Sequence, residues 1–364
     1  MRSQKIMLWG WFGFENLGDD LLLDTMIRSL NSPERTITVP MRTPYVIEQT
    51  NIKQVSRSYK ELLKGALYND VLIIGPGGLF PFDNPQKVWI YFVIVLLWKL
   101  GGRKVAFFGI GISKQLSSMS RHLWKAIATL SDLFVTRSPG VIENIGLPET
   151  SRVHTMADTV FASNMEFTGH EHSNKIGVFV ANLKQPGMEK AYKVFVETWQ
   201  EIIADLLDRG FLVDLIAFTK YTDDQLIADI ADAFSKRGGV RTVRYENSLD
   251  EIKRLPEYKF TLSMRFHALV LSLLAGVPSI PIAYGQKTYS LATRSGLSEY
   301  ALIWNAFQKE YYGYVKELSA TDVVQKIGLM MSDYDDVKAE MVARTEELKT
   351  SAKTAMNQLL ELIG

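Results

Sequence analysis

Short apolar runs alternate with helical segments along the first half of the chain. The runs 5–9, 71–74 and 105–108 are each followed directly by glycines and predict buried strands. The segments 21–30 and 88–100 carry apolar residues over helical lengths. Strands that end in glycines and alternate with helices are typical of a parallel sheet with a ligand crevice at its carboxyl edge.

A second series of the same kind begins near residue 176. Strands are predicted at 176–180, 211–218, 240–245 and 279–283, with helices at 191–207, 225–234 and 249–255. Residues 161–175 between the two series are small and polar, as in a linker. We therefore predict an α/β protein with two Rossmann-like, doubly wound domains, 1–165 and 175–335. A last amphipathic helix, 336–364, has one apolar face with which to cross back onto the first domain.

The composition is that of an ordinary globular protein and narrows the function only by exclusion. A net charge of +1 on 364 residues gives no bulk attraction for nucleic acid. The absence of cysteine excludes disulfides, thiolate metal sites and a cysteine nucleophile. No signal-peptide pattern is present, and no His, Asp and Glu spacing suggests a metal site. We expect a cytoplasmic protein that binds no metal and no nucleic acid.

The most apolar stretch, 88–98, is open to two interpretations. It is too short to span a bilayer, which takes roughly 20 residues. Its Trp and Tyr residues and the lysines and arginine around it suit a helix at the inner face of a membrane, near a lipid-linked substrate. A helix that is apolar on all sides is equally typical of a protein core. We favour the buried helix, so any contact with a membrane would be peripheral.

The stretch 263–287 gathers the most chemistry. Arg265 and His267 precede a helical run expected to begin at Ala268, and Lys287 follows the strand 279–283. Two cations and a titratable imidazole at the ends of one helix–strand unit suit an anion-binding, proton-transferring site. The alternatives are an arginine paired with a carboxylate, a hydrogen-bonded core histidine and a solvated lysine.

Further candidates lie at the strand ends of the first domain. Gly13, Gly77 and Gly78 let backbone approach a ligand closely, although a tight β–α turn also explains glycines near residue 13. Arg137 follows the strand 133–136 and is either a ligand clamp or a structural ion pair. The sequence has no P-loop and no nucleophile elbow, so catalysis should be acid–base and electrostatic, with His267 as the titrating group.

Together these motifs resemble the polysaccharide pyruvyl transferases. The matching elements are GWFGFENLGDD, the GPGG loop, Thr136-Arg137-Ser138, and Arg-x-His-Ala at 265–268 with the lysine that follows. The resemblance extends over most of the chain and implies two facing Rossmann-like domains, as in GT-B glycosyltransferases, with the acceptor on the first domain and the donor on the second. The family pattern has an acidic residue after Arg137, where this sequence has Ser138-Pro139.

The resemblance also implies a reaction. Family members move the pyruvyl group of phosphoenolpyruvate onto two hydroxyls of a sugar in a cell-surface or exopolysaccharide precursor, forming a cyclic ketal without a further cofactor. By resemblance, His267 would be the catalytic acid and base. Arg137, Arg265 and Lys287 would hold the donor, and Gly13, Gly77 and Gly78 would line the substrate site. Asp158 would be structural or acceptor-binding.

Two other functions remain open on the sequence. A GT-B glycosyltransferase that uses a nucleotide sugar should have a carboxylate for the ribose within 263–290, where there is none. A non-catalytic sensor of an anionic metabolite would bind the donor without turnover. For the transferase, we expect acceptor specificity in the loops 80–84 and 113–121.

Overall fold

The structure, a computed structural model, describes residues 3–43, 51–170, 174–184, 186–304 and 318–364. The chain forms two compact units. The first consists of Met1–Phe14, Asp19–Asn164 and Leu348–Gly364, and the second of Glu15–Gly18 and Met165–Glu347. Part of the predicted linker, 171–173, lies outside the described residues.

The first unit is built on a parallel sheet. Its elements are β1 (Gln4–Trp9), α1 (Leu17–Leu30), β2 (Arg35–Met41), β3 (Ile52–Ser56), α2 (Tyr59–Tyr68), β4 (Val71–Ile74), β5 (Gly77–Phe80), α3 (Pro85–Leu100), β6 (Lys104–Ile112), α4 (Ser118–Leu130), β7 (Leu133–Thr136), α5 (Val141–Asn144) and β8 (Val153–Thr155). Within the described residues the strand order is β3-β2-β1-β4-β6-β7-β8, with β5 beside β6. The order reverses between β1 and β4, as it does at the ligand crevice of a Rossmann sheet.

The core of the first unit explains why these segments are strands. All four residues of β4 are buried, because helices cover a parallel sheet on both faces. The helices α2, α3 and α4 pack side by side on one face. Their inward side chains, among them Leu62, Trp98 and Trp124, form one apolar cluster with the side chains of the strands.

The second unit repeats the same topology. Its elements are β9 (Lys175–Phe179), α6 (Glu189–Asp208), β10 (Leu212–Ile216), α7 (Thr222–Ala231), β11 (Val240–Val243), α8 (Tyr245–Lys253), β12 (Phe260–Ser263), α9 (Phe266–Leu274), β13 (Ser279–Ala283), α10 (Gln286–Arg294), β14 (Leu302–Ile303) and α11 (Ala320–Ser332). The described strands are parallel, in the order β11-β10-β9-β12-β13-β14. The reversal between β9 and β12 places a second crevice at the carboxyl ends of these two strands.

The chain ends in one long helix, α12 (Tyr334–Ile363), whose last part belongs to the first unit. The Lys104 ammonium donates to the Leu362 carbonyl at 2.7 Å, and the Ala157 amide donates to Ser351 Oγ at 3.1 Å. The predicted class, two Rossmann-like sheets with a helix that returns to the first, is confirmed.

Two glycine motifs of the first unit differ from the prediction. The strand expected to end at Phe108 continues to Ile112, because Gly109 adopts a φ of +61° and the pairing with β7 shifts register there. The GPGG sequence is not a loop throughout. Gly77 and Gly78 open β5, which pairs with β6.

The helix boundaries near the candidate residues also need correction. The helix α9 begins at Phe266 and not at Ala268, so His267 lies in its first turn and Arg265 is its N-cap. Lys287 lies in the first turn of α10. His267 and Lys287 therefore stand at helix N-termini, where the helix dipole favours anions.

The interpretation of the apolar run as a buried helix is correct for only one face of α3. Tyr91, Ile94 and Trp98 are buried, but Trp89 and Leu97 on the opposite side are exposed. No helix in the described part of the chain combines the length and the apolar character needed to cross a membrane.

Candidate functional site

Three helices of the second unit begin at the carboxyl edge of its sheet and carry the candidate residues. The helix α9 follows β12 after two residues, and α10 follows β13 in the same way. The third, α7, begins shortly after β10. Parallel strands direct their carboxyl ends to one edge, so the N-termini of these helices and their first side chains gather there.

Arg265 is held by a buried carboxylate of α7. Its guanidinium forms an ion pair with Asp223 and donates to Thr219 Oγ1 at 3.1 Å. The Asp223 carboxylate also accepts from the backbone amides of Phe218, Thr219 and Asn182 at 3.1–3.2 Å. Arg265 is thus paired with a carboxylate, which was one of the alternatives open on the sequence. This pairing fixes the direction of the guanidinium.

Electrostatics keep Arg265 charged. Burial acts to lower the pKa of its guanidinium, but the Asp223 carboxylate and the Tyr284 hydroxyl outweigh burial and raise that pKa above its usual value. The Nε–H of Arg265 is buried and has no acceptor among the described residues. A buried charged donor without an acceptor is costly, so this N–H suits an oxygen of an anionic ligand.

His267 and Lys287 both lie against the Phe266 ring. The imidazole meets this ring edge-on with 5.2 Å between centroids, and the Lys287 ammonium lies 5.5 Å from the ring centre. The imidazole also lies against Gly18, which stands in the first turn of α1 and belongs to the second unit. A β-carbon there would come within 2.1 Å of Nδ1. Glycine at this position therefore makes room for the histidine.

In the first unit, Arg137 pairs with Asp158. The guanidinium bonds the carboxylate, which also caps the 3-10 turn Thr159–Ala162 by accepting from the Val160 amide at 3.0 Å. Both side chains are buried. The acidic partner of Arg137 is thus a carboxylate 21 residues later in the sequence.

The three candidate glycines also lie in the first unit but in different settings. A β-carbon on Gly78 would lie 3.5 Å from an Arg137 nitrogen, an ordinary van der Waals distance, so the arginine lies beside the backbone of β5. Gly77 has a φ of +119° and faces Asp19. Gly13, with a φ of +75°, lies against the Thr43 backbone, where a β-carbon would come within 2.6 Å of the carbonyl oxygen. Gly13 thus has a structural reason to be glycine.

An aromatic group at the carboxyl end of β1 was not predicted from the sequence. The Trp11 and Phe14 rings stack at 4.0 Å between centroids, and Arg57 lies over both of them and over Trp9. Burial lowers the pKa of the Arg57 guanidinium, and Tyr91 and Tyr59 only partly oppose this. The signal in the sequence was the aromatic content of GWFGF, but its partner is 46 positions after Trp11, and no local pattern shows such a pairing.

The candidate residues therefore form two groups. Arg265, His267 and Lys287 lie together in the second unit, whereas Arg137, Gly13, Gly77 and Gly78 belong to the first. Among the described residues, no set of three or more His, Asp and Glu side chains could hold a metal ion. Cations, helix N-termini and one imidazole give the second group the means to bind an anion and transfer protons.

Comparison with known proteins identifies the family. The sequence model of the family described as polysaccharide pyruvyl transferase matches residues 16–286, which include Arg137, Asp158, Arg265 and His267. The chain belongs to the polysaccharide pyruvyl transferase family. Members of this family are transferases, and the predicted resemblance is confirmed. A search of curated proteins returned no match.

Solved structures share the fold of this transferase at low sequence identity. A glycosyltransferase from Rickettsia africae has a TM-score of 0.60 at 10% identity, over 100% of this chain and 98% of its own. The UDP-GlcNAc 2-epimerase from Methanocaldococcus jannaschii has a TM-score of 0.59 at 11% identity, over 99% of each chain. The UDP-GlcNAc 2-epimerase from Neisseria meningitidis, in complex with UDP-GlcNAc, has a TM-score of 0.57 at 9% identity. The match covers 99% of this chain and 100% of the epimerase. These neighbours support a GT-B-like fold with two Rossmann-like domains.

Proposed function

We propose that this transferase moves the pyruvyl group of phosphoenolpyruvate onto a sugar of a cell-surface or exopolysaccharide precursor, forming a pyruvate ketal. The observation that carries the proposal is the grouping of Arg265, His267 and Lys287 at the helix N-termini of the second unit, in a chain of this family. The second unit would bind the donor and the first the acceptor.

The donor is an anion with two charged groups. Phosphoenolpyruvate carries a carboxylate and a phosphate, and an arginine fork binds such groups in a bidentate manner, whereas a lysine contributes a mobile point charge. The buried Nε–H of Arg265 and the exposed Lys287 suit these two roles. Arg137 of the first unit is proposed as a substrate ligand by family resemblance, and its pairing with Asp158 would orient it.

His267 is proposed as the catalytic acid and base. Protonation of the donor methylene carbon makes C2 electrophilic, and one sugar hydroxyl adds there and loses its proton. The C2–O bond to phosphate then breaks, and the second hydroxyl adds to C2 to close the ketal. Of the two hydroxyl protons released, one replaces the proton given to carbon and one leaves with phosphate. An imidazole can give and take these protons near neutral pH.

The acceptor is proposed to stack on the aromatic group of the first unit. Trp11 is 41% exposed and is supported from behind by the parallel Phe14 ring. An indole face that is rigid and partly exposed suits the apolar face of a sugar ring, while Arg42 and Arg57 beside it can donate to hydroxyls. This platform supplements the loops 80–84 and 113–121 as a source of acceptor specificity.

A nucleotide-sugar glycosyltransferase is the second candidate. It is favoured by the fold shared with the Neisseria meningitidis epimerase bound to UDP-GlcNAc. Residues 263–290 contain no Asp or Glu for a ribose, and the nearby Asp223 carboxylate is engaged by Arg265. Because a nucleotide sugar is also an anion, it is the lack of a carboxylate for the ribose that favours phosphoenolpyruvate.

Calorimetric titration of the purified protein with phosphoenolpyruvate, beside a panel of nucleotide sugars, tests the donor. We expect saturable binding of phosphoenolpyruvate that is lost in Arg265→Ala and retained in Arg209→Ala, where an exposed arginine at the end of α6 is removed. Binding of a nucleotide sugar without any response to phosphoenolpyruvate would instead establish the second candidate.

The catalytic role is tested separately, by turnover. His267→Ala should lower the rate of ketal formation by on the order of 10²–10⁴ while donor binding persists. The exposed His170 gives a matched control, because His170→Ala removes an imidazole that lies before β9 and not at the carboxyl end of a strand. Full activity of His267→Ala would remove this histidine from the mechanism.

A further inference from the structure

The helix α3 presents an apolar face to solvent. Trp89 is 49% exposed, Leu97 45% and Leu100 75%, and Ile90 and Val93 lie between them. Trp89, Val93, Leu97 and Leu100 follow one another at intervals of four and three, so they share one side of the helix. The opposite side fills the core, whereas this apolar side lies at the surface of the first unit in the part of the chain that the structure describes. We call these five residues the α3 face.

The neighbouring helices extend this face. In α2, Leu63 and Leu67 are spaced by one helical turn, and Leu67 is 71% exposed, next to the exposed Tyr68. In α4, Met119 is exposed. Since α2 and α4 both pack on α3, the exposed apolar side chains lie on one helical layer. Exposed apolar side chains gathered on one layer are typical of sites of interaction with proteins or membranes.

The same three helices carry a strong local excess of positive charge. The whole chain is nearly neutral, with 41 Lys and Arg against 40 Asp and Glu. Neither α3 nor α4 contains an acidic residue, and α2 contains only Glu61. Their cations are Lys60, Lys64, Lys87, Lys99, Arg121 and Lys125. Lys99 pairs with Asp132 and Lys87 is half-buried. Lys60, Lys64, Arg121 and Lys125 are exposed on the helices that flank the α3 face, and Lys64 also pairs with Glu61 at 3.2 Å.

A cavity beside α2 continues the positive surface. It has a volume of about 450 Å³, and Lys5, Lys53 and Lys64 are among its lining residues. Glu61 is the one acidic residue of this lining, so positive charge predominates. The chemistry of the layer is thus apolar in the centre and basic at its edge.

We propose that the outer surface of α2, α3 and α4 docks on an anionic lipid surface, with α3 lying in the plane of the interface. Apolar side chains would enter the boundary between headgroups and acyl chains, and the flanking lysines and arginine would contact lipid phosphates. A tryptophan at the edge of such a face is typical of the membrane–water interface. With 16 residues, α3 is about 24 Å long and lies on the layer without spanning it.

A second copy of this chain fits the surface less well. Two-fold symmetry would bring the same surface of each copy together and set Lys60, Lys64, Arg121 and Lys125 near their own counterparts. Juxtaposed like charges oppose association, whereas an anionic membrane attracts all four. The proposal does not depend on the donor or on the reaction assigned to this enzyme.

Vesicle flotation with the full chain tests the proposal. The protein is mixed with vesicles of phosphatidylcholine alone or of phosphatidylcholine with phosphatidylglycerol. We expect flotation with the anionic vesicles only, and release as salt is raised, because screening weakens the basic contacts. Trp89→Ser combined with Leu97→Ser and Leu100→Ser should reduce vesicle affinity at least tenfold, and Lys60→Glu with Lys64→Glu should remove the preference for anionic lipid.

The control carries Leu212→Ser and Ile303→Ser, which remove two exposed apolar side chains of the second unit. It should float as the wild type does. Since all substituted side chains are exposed, each variant should keep its thermal unfolding midpoint, and this is measured alongside. In addition, Trp89→Phe should retain flotation but lose part of the blue shift of tryptophan fluorescence on adding vesicles.

Three results would overturn the proposal. They are absence of flotation by the wild type, equal flotation with both vesicle compositions, and flotation that the α3-face variant retains. Concentration-dependent dimerisation that is lost in the α3-face variant, without flotation of the wild type, would assign the surface to a second copy of the chain.

Discussion

Gly18 and His267 are in direct contact, and the absence of a side chain on Gly18 is what makes room for the imidazole. A β-carbon on Gly18 would lie 2.1 Å from Nδ1 and 2.7 Å from Cγ of the histidine. These distances are far shorter than van der Waals contact. The position of the proposed catalytic group thus depends on a glycine nearly 250 residues earlier in the sequence.

Gly18→Ala should therefore impair catalysis by displacing His267. The added methyl group pushes the imidazole aside, and a misplacement of about 1 Å can cost on the order of 10²-fold in rate. We expect kcat for ketal formation to fall by about that factor. The affinity for phosphoenolpyruvate, measured by calorimetry, should change much less.

The matched control is Gly328→Ala, in the exposed middle of α11, where a β-carbon meets no atom within 4 Å. Alanine there should leave kcat unchanged and stabilise the fold by about 0.5–1 kcal/mol, because glycine is unfavourable inside helices. Normal turnover by Gly18→Ala would show that the imidazole position is unimportant.

Asp223→Asn should weaken donor binding through Arg265. The fully buried Asp223 is the charged partner of the guanidinium and also accepts three backbone amides. An amide in its place keeps the size but removes the charge that orients Arg265. We expect KM for phosphoenolpyruvate to rise about tenfold and the free energy of unfolding to fall by about 3 kcal/mol, as for a broken buried ion pair.

Asp24→Asn provides the comparison for this variant. Asp24 pairs with Arg28 at 2.7 Å on the exposed side of α1, and such surface pairs contribute about 0–1 kcal/mol. Its removal should leave KM unchanged. An Asp223→Asn protein that loses stability but keeps the wild-type KM would mean that Asp223 serves only the fold.

The strands with the most apolar sequences were predicted with the greatest accuracy. Val71–Ile74, Leu133–Thr136 and Ser279–Ala283 were predicted without error in their bounds, since buried parallel strands read as continuous apolar runs. The edge strand β3 and its neighbour β2 were missed. Both include half-exposed positions, and β2 contains Pro40, so neither has the continuous apolar signal of a central strand.

The candidate residues of the second unit could be predicted because they are close in sequence. Arg265, His267 and Lys287 lie within one helix–strand–helix segment, and local patterns bring them together. Their partners could not be predicted in this way. Asp223 and Gly18 come from distant parts of the chain, and only the folded second unit places them beside the arginine and the histidine. The same reason explains why Arg57 over Trp11 was missed.

Trp11→Ala should raise the KM for the saccharide acceptor without changing that for the donor. The stacked pair of Trp11 and Phe14 offers the proposed platform for a sugar ring, and aromatic contacts of this kind contribute about 1 kcal/mol or more. We expect the acceptor KM to rise roughly five- to thirtyfold, equivalent to about 1–2 kcal/mol. Trp11→Phe should restore most of the affinity. Equal effects on both KM values, or no rescue by phenylalanine, would exclude the platform.

Acid should destabilise the second unit through a buried ionic network. This network lies toward the amino-terminal ends of the strands, away from the edge that carries Arg265 and His267. Asp214 accepts hydrogen bonds from Arg241 and from the Tyr258 hydroxyl at 2.6–2.9 Å, and Lys175 lies 3.1 Å away. Burial acts to raise the pKa of Asp214, but the bonds from Arg241 and Tyr258 outweigh it and hold the pKa below its usual value of 3.8. The pKa of Glu251 is lowered from 4.5 by the same two partners, again against burial.

The sign of the pH dependence follows from these lowered values. A carboxylate with a lower pKa in the folded than in the unfolded protein stabilises the fold fully above the unfolded value, and this stabilisation is lost as the pH falls through the folded value. Asp214→Asn should therefore lower the free energy of unfolding by about 3 kcal/mol at about pH 7, and the difference from wild type should shrink below about pH 4. Urea unfolding at several pH values measures this difference. A deficit that is as large at about pH 2 as at about pH 7 would show that Asp214 stabilises the unit by packing rather than by charge.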